Sequence, residues 1–158
     1  MTRILLTILI LLFSSLTFSQ TAKTNCYILT IKKGKILKDR KKTYWSIPLT
    51  LTNDSKDTLR YFSMSCSWQD FYSVDNKQIQ IETALCDKNI PTILILAPWQ
   101  KRTVAIRLLI SNSMETSELK FKIGLNLIKA SKTQNPFDFD FKKEQQKKNL
   151  IWSNRISM

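Results

Sequence analysis

A two-residue hydrophobic period runs through most of this chain and leaves little room for anything but β-structure. Its clearest stretch sets Leu119, Phe121, Ile123, Leu125 and Leu127 against Lys120, Lys122, Gly124, Asn126 and Ile128. Successive side chains of a strand point to opposite faces, so this alternation describes a strand with one face buried. The same period sets Tyr27, Leu29 and Ile31 against Ile28, Thr30 and Lys32, and Trp45, Ile47, Leu49 and Leu51 against Ser46, Pro48, Thr50 and Thr52. It also sets Val104, Ile106, Leu108 and Ile110 against Ala105, Arg107 and Leu109. From Leu59 to Trp68 it puts Phe62, Met64, Cys66 and Trp68 on one face and Tyr61, Ser63, Ser65 and Ser67 on the other.

Shorter signals complete the pattern. Pro48 lacks an N–H, which predicts an edge strand or a bulge at that point. Asn53-Asp54-Ser55-Lys56-Asp57 is a turn, because its short polar side chains bond their own backbone. Phe71 to Val74 and Gln78 to Glu82 predict a hairpin across Asp75-Asn76-Lys77. Thr92 to Leu96 and Leu150 to Ile156 each predict a strand, and Phe137, Phe139 and Phe141 alternate with Asp138 and Asp140 as a strand would. Helix is confined to two short candidates, residues 112–118 and 142–148. Turn signals recurring about every 8–12 residues place the chain as all-β, a single immunoglobulin-like antiparallel β-sandwich of about seven to nine strands.

The N-terminus has a different character. Arg3, an apolar run from Ile4 to Phe13 and the small-x-small triplet Thr17-Phe18-Ser19 have the anatomy of a secretory signal peptide cut after Ser19. The competing reading is a retained anchor, but a span needs about 20 apolar residues and this run is shorter. The expected organisation is therefore a signal peptide at 1–19 and one domain at 20–158. The expected address is exported: periplasm, cell surface or exterior.

Residue types that are scarce here exclude much enzymology. The chain has no histidine, so neither a Ser-His-Asp or Cys-His nucleophile nor a His-ligated metal centre can be built. With only Gly34 and Gly124, no glycine-rich phosphate loop is possible. No cofactor is expected, and the chain reads as a non-enzyme. The net charge is +13, and loss of Arg3 with the signal leaves 24 Lys and Arg against 12 Asp and Glu. Such a balance favours acidic partners, whether protein, anionic polymer or lipid surface. Lys32, Lys33, Lys35, Lys38, Arg40, Lys41 and Lys42 crowd one stretch, and Lys142, Lys143, Lys147 and Lys148 another. The first is either a solvated loop or a polyanion contact. No helix-turn-helix, zinc-finger or RNA-binding signature accompanies it, so specific nucleic-acid recognition is not expected.

In an oxidising compartment Cys66 and Cys86 are expected to pair, closing a loop on the order of 20 residues. Cys26 is then left over, as a buried apolar thiol in a strand or as a site of intermolecular pairing. Asp138 and Asp140 would share a strand face, a solvated pair or an incomplete Ca²⁺ site. Asp70, Asp75 and Glu82 supply carboxylates, but nothing in their spacing marks an acid pair. Of the four tryptophans, Trp45 and Trp68 are expected in the core. Trp99, in the turn Pro98-Trp99-Gln100-Lys101-Arg102, is the best exposed candidate for a contact.

The succession Leu51-Thr52-Asn53-Asp54-Ser55, Asp57-Thr58-Leu59-Arg60-Tyr61, Asp70-Phe71-Tyr72-Ser73-Val74-Asp75-Asn76-Lys77 and Leu96-Ala97-Pro98 is similar to bacterial Ig-like sandwich modules. Over residues 45–128 it also resembles the bacterial intracellular proteinase inhibitor family. That family's Pro-Gly turn is Pro98-Trp99 here, and the signal peptide departs from its intracellular address. With its signal ending Ser-Gln, the chain resembles small secreted proteins of the Bacteroidetes type. The resemblance implies the fold. Two functions remain: a binding module using residues 32–42 and Trp99, or an inhibitor or immunity-type protein that caps another enzyme with a loop.

Overall fold

The computed structural model describes residues 26–39, 42–83, 85–110, 119–146 and 149–157. Along them run β1 (Tyr27–Ile31), β2 (Lys35–Asp39), β3 (Lys42–Asn53), β4 (Leu59–Met64), β5 (Tyr72–Val74), β6 (Ile79–Ile81), β7 (Pro91–Leu96), β8 (Lys101–Ile110), β9 (Lys120–Phe121), β10 (Ile123–Asn126), β11 (Leu150–Trp152) and β12 (Ile156–Ser157). Two 3-10 turns, Trp68–Phe71 and Pro136–Asp138, and one short helix, α1 (Phe141–Gln146), interrupt them. Among the described residues every strand pairing is antiparallel and helix is limited to these short pieces, so the fold is all-β.

The main sheet is built on β3. Along one side β8 pairs with it from Tyr44↔Leu109 to Thr52↔Lys101, and β6 pairs with the far edge of β8. Along the other side β1 and β2 lie in line, sharing the length of β3. Their registers differ by one residue: between Ile31↔Leu49 and Lys35↔Ser46 the edge lane has three residues against two, a β-bulge. Gly34 sits in that bulge, where a Cβ would strike the Ser46 carbonyl oxygen and come within 2.9 Å of Ile47 Cγ1.

Pro48 is thus neither on an edge nor in a bulged strand, as its sequence suggested. It lies in the middle of a strand paired on both sides. Its carbonyl accepts from the Lys32 N–H at 3.2 Å, so its missing N–H faces the handover from β1 to β2. No regular ladder bond is lost there, because the bulge is in the neighbour.

On the opposite side of the core, β10 lies between β5 and β11, β12 pairs with β9, and β4 pairs with β7. The segment after β10 also binds β4, through Phe62 N–H to Ile128 O (2.9 Å) and Ala130 N–H to Arg60 O (2.8 Å). β4 and β5 therefore run in line along one partner, with residues 65–71 ejected between them. Trp68 leaves the predicted long strand for this reason. The ejected loop is pinned by the Cys66–Cys86 disulfide (Cα–Cα 6.2 Å) and by Asn89, whose Oδ1 accepts from the N–H groups of Cys66 and Ser67.

The hairpin predicted across Asp75-Asn76-Lys77 does not form. β5 pairs with β10 and β6 with β8, so this turn carries the chain from one side of the core to the other. Asp75 fastens the crossing, accepting from Lys122 N–H (2.7 Å) and pairing with Arg155 (3.1 Å).

The two sides share one core. Ile47, Ile106 and Leu108 from the main sheet meet Phe121 and Ile123 from the other, all without solvent exposure. Trp45 meets Phe121 edge-on at 5.5 Å, which places it in the core as expected. Trp68, half-buried, packs on that core and meets Tyr72 edge-on.

The strand expected through Phe137, Phe139 and Phe141 is absent. Asn135 Oδ1 accepts from Phe137 N–H at the start of one 3-10 turn, and Asp140 Oδ1 accepts from Lys143 N–H ahead of α1. Asn-Pro and a lone Asp before helix formers are start signals that outweigh three alternating phenylalanines. Phe139 stacks on Phe62 at 3.9 Å and buries the outer face of β4, while Phe137 stays 70% exposed. Helix was expected over 142–148; α1 begins one residue earlier, and residues 147–148, like the 112–118 candidate, lie outside the described residues.

Candidate functional site

The basic stretch is a strand as much as a loop. Lys32 and Lys33 lie in the bulge, Lys35 and Lys38 stand on β2, and Lys42 begins β3; Arg40 and Lys41 lie outside the described residues. Among the described residues β2 pairs only with β3, which makes it an edge strand, and lysines along an edge deter strand addition by another chain. Directly paired residues share a face, so the register sorts the charges. Lys32 lies opposite Pro48 and Lys35 opposite Ser46, on the outer face of the main sheet. Lys38, two-residue partner of Ile36, belongs to the other face.

The middle rows of that outer face carry short side chains. Thr30, Thr50 and Thr103 form a row across three strands, with the hydroxyls of Thr50 and Thr103 2.8 Å apart. Pro48 and Ala105 form the next row, and Ser46 pairs with Arg107 beyond it. Lys32, Lys35 and Lys101 lie around these small residues. Arg107 lies 5.8 Å over the Tyr44 ring and 3.6 Å from Glu82, so its charge is already partly engaged.

Trp99 stands at the end of this face beyond Lys101 and is 60% exposed. The Gln100 N–H bonds Ala97 O at 3.2 Å, and Trp99 has φ 62°. This is the third position of a tight turn that follows Pro98, where glycine is favoured because a Cβ crowds the backbone. The turn is braced by Asn53, which is fully buried. Its Nδ2 donates to the carbonyls of Asp57 (2.8 Å), Leu96 (3.0 Å) and Ala97 (3.1 Å). Its Oδ1 accepts from the Ser55 hydroxyl (2.7 Å) and N–H (3.2 Å), and its own N–H reaches Gln100 O (3.0 Å). One amide thus locks two turns. The sequence marked Asn53 only as the first residue of a turn.

The residues proposed to act together are divided. Lys32 lies four β3 positions from the level of Lys101, about 13 Å at 3.3 Å per residue. Lys38, opposite Thr43, lies nine positions away, about 30 Å on the same scale. Lys32 and Trp99 can serve one ligand surface; Lys38 and Trp99 cannot share a small one.

A cleft of about 390 Å³ opens where β4, β7, β8 and the ejected 65–71 loop meet. Tyr61, Trp68, Tyr72, Leu94, Arg102 and Val104 are among its lining residues. Burial pushes the Tyr72 phenol far above its ordinary range; the Tyr61 phenol beside it adds to this, and the Arg102 guanidinium opposes it. Tyr61 is raised by burial too, again against Arg102. Sequence reading passed over all three, because residues distant in the chain meet here only through the break between β4 and β5.

The remaining candidates have structural employment. Asp75 fastens the crossing turn and Glu82 pairs with Arg107. Asp140 caps a helix, so it and Asp138 do not form the shared strand face expected of them. Among the described residues no three Cys, Asp or Glu gather as metal ligands. Cys26 is exposed at the start of β1, which corrects the expectation of a buried strand thiol. Among the described residues no helix is long and apolar enough to cross a membrane. No protein-family model matches the chain, and a comparison with curated proteins returns no match.

Proposed function

We propose that this is an exported, non-enzymatic binding module that takes an acidic partner, a protein or an anionic polymer, on the outer face of its main sheet. The observation that carries this reading is that face itself: threonine, serine, proline and alanine form its middle rows, and Lys32, Lys35 and Lys101 lie around them, with Arg107 beside Glu82 at one end. Short side chains let a chain-like polyanion approach the sheet while the cations reach its charges. The same reading takes the two facing groups of strands as an immunoglobulin-like sandwich, on which function depends on the surface grafted to it.

The test is retention on dextran sulfate across a salt gradient. A polyanion contact weakens steeply as salt rises. Neutralising the lysines of residues 32–42 together with Lys101 is expected to abolish retention while leaving the melting temperature unchanged. Retention equal to the parent would refute the basic face.

One observation favours a second reading, an inhibitor or immunity-type protein. Trp99 is held exposed in a strained turn by a buried brace, the kind of rigid aromatic that anchors a packed interface. A partner captured through Trp99 would survive high salt and be lost with Trp99→Ala.

A further inference from the structure

The cleft beside the disulfide loop is independent of the basic outer face, since Arg102 pairs with Leu51 on the inner side of β8. It has three features of a ligand site. First, it is concave, and at about 390 Å³ it falls in the range of small-molecule pockets, roughly 300–1,000 Å³. Second, its recognition groups are unspent: among the described residues no carboxylate pairs with Arg102, and no protein hydrogen bond takes up the hydroxyl of Tyr61 or Tyr72. Third, its shape is fixed from both ends. The Cys66–Cys86 disulfide and Asn89 hold the 65–71 wall, and the Trp68 and Tyr72 rings, 5.7 Å apart and nearly perpendicular, brace one another.

We propose that this cleft binds a small organic carboxylate with a flat apolar body. The Arg102 guanidinium takes the carboxylate with its two-pronged donor edge, and the hydroxyls of Tyr61 and Tyr72 donate to the same oxygens. Trp68, Leu94 and Val104 pack against the body. One guanidinium matches one negative charge, and neutral phenols supply donors without adding a second cation. A dianion such as a phosphate monoester would leave charge unmatched beside apolar walls, which is costly. A neutral ligand of the same shape would leave the guanidinium without its partner.

The experiment is isothermal titration of the purified protein with 3-phenylpropionate and with 1-naphthylacetate, each compared with its primary amide. Saturable one-to-one binding is expected for at least one acid, with its amide at least tenfold weaker. Arg102→Gln is expected to weaken the acid at least tenfold and leave the amide unchanged. Arg102→Lys keeps the charge but not the fork and falls between. Arg102 is exposed on its strand, so these variants should melt with the parent, and a melting curve checks that. Absence of saturable binding by both acids at millimolar concentration would overturn the proposal. So would equal affinity for acid and amide, or an Arg102→Gln variant that binds the acid as the parent does.

Discussion

Asn53→Ala is the sharpest probe of how the ends of the strands are held. The substitution removes a side chain with no solvent exposure that donates to three carbonyls and accepts from Ser55. The groups left behind are not equivalent. The bond to Leu96 O is buried, so that carbonyl loses its partner with no water to replace it, at about 1–3 kcal/mol. The groups at Asp57, Ala97 and Ser55 lie nearer solvent, and water recovers most of their bonding, leaving a net loss of about 0.5 kcal/mol each. The sum is about 2.5–4.5 kcal/mol, a large share of a typical domain stability of about 5–15 kcal/mol. Urea unfolding of the parent and the variant measures it directly. Asn53→Asp separates hydrogen bonding from volume. It keeps the shape but at neutral pH turns a negative oxygen toward three carbonyl dipoles, so it is expected to cost more than alanine. Burial against those carbonyls would raise the pKa of the new carboxyl, and protonation would restore one donor. The deficit of Asn53→Asp relative to Asn53→Ala should therefore shrink as pH falls toward 4. An Asn53→Ala loss below about 1 kcal/mol would refute the view that this amide braces both turns, because one orphaned buried carbonyl already costs that much.

Other consequences are as direct. Trp99→Gly should be more stable than Trp99→Ala by about 1 kcal/mol, since both remove the indole and only alanine keeps a Cβ at φ 62°; an equal or more stable alanine variant would remove the strain from the account. Cys66→Ser and Cys86→Ser should each cost about 3 kcal/mol, and the double variant no more than either, as a single shared bond requires. Calorimetry of the three variants decides it, and additive losses would contradict the bridge. The raised Tyr72 phenol gives stability that is complete below pH 10, the ordinary tyrosine value, and declines above it as the unfolded chain releases its proton first. In thermal melts, Tyr72→Phe should show a shallower loss between pH 10 and 11.5; parallel curves would place Tyr72 in contact with solvent.

What could be read from the sequence was local. Leu29, Ile47, Leu49, Ile106, Leu108, Phe121 and Ile123 announce their burial by alternation alone, since a strand's side chains obey a period that needs no knowledge of its partner. The Cys66–Cys86 pairing expected from three cysteines is present, and the exposure of Trp99 matches its place beside Pro98. Partners were not legible. Nothing within residues 71–82 reveals that β5 and β6 choose strands on opposite sides of the core, because two short strands around a polar turn look alike whether they pair or part. Phe137, Phe139 and Phe141 kept the period of a strand, yet the side chains of Asn135 and Asp140 supplied acceptors for the backbone N–H groups of Phe137 and Lys143, which a local turn and a helix could use at once.

Alternation was enough to make this chain all-β and to mark the buried face of its longer strands, and three cysteines allowed a pairing to be expected. Tertiary structure alone decided how the charges and the recognition groups are distributed. The bulge at Gly34 brought Lys32 and Lys35 to one face of the sheet and left Lys38 on the other, and the break between β4 and β5 brought Tyr61, Tyr72 and Arg102 to one cleft. The physical reason is range. Side-chain alternation and turn chemistry act over a few residues, whereas register and the gathering of a site depend on which distant strands bury one another's surfaces.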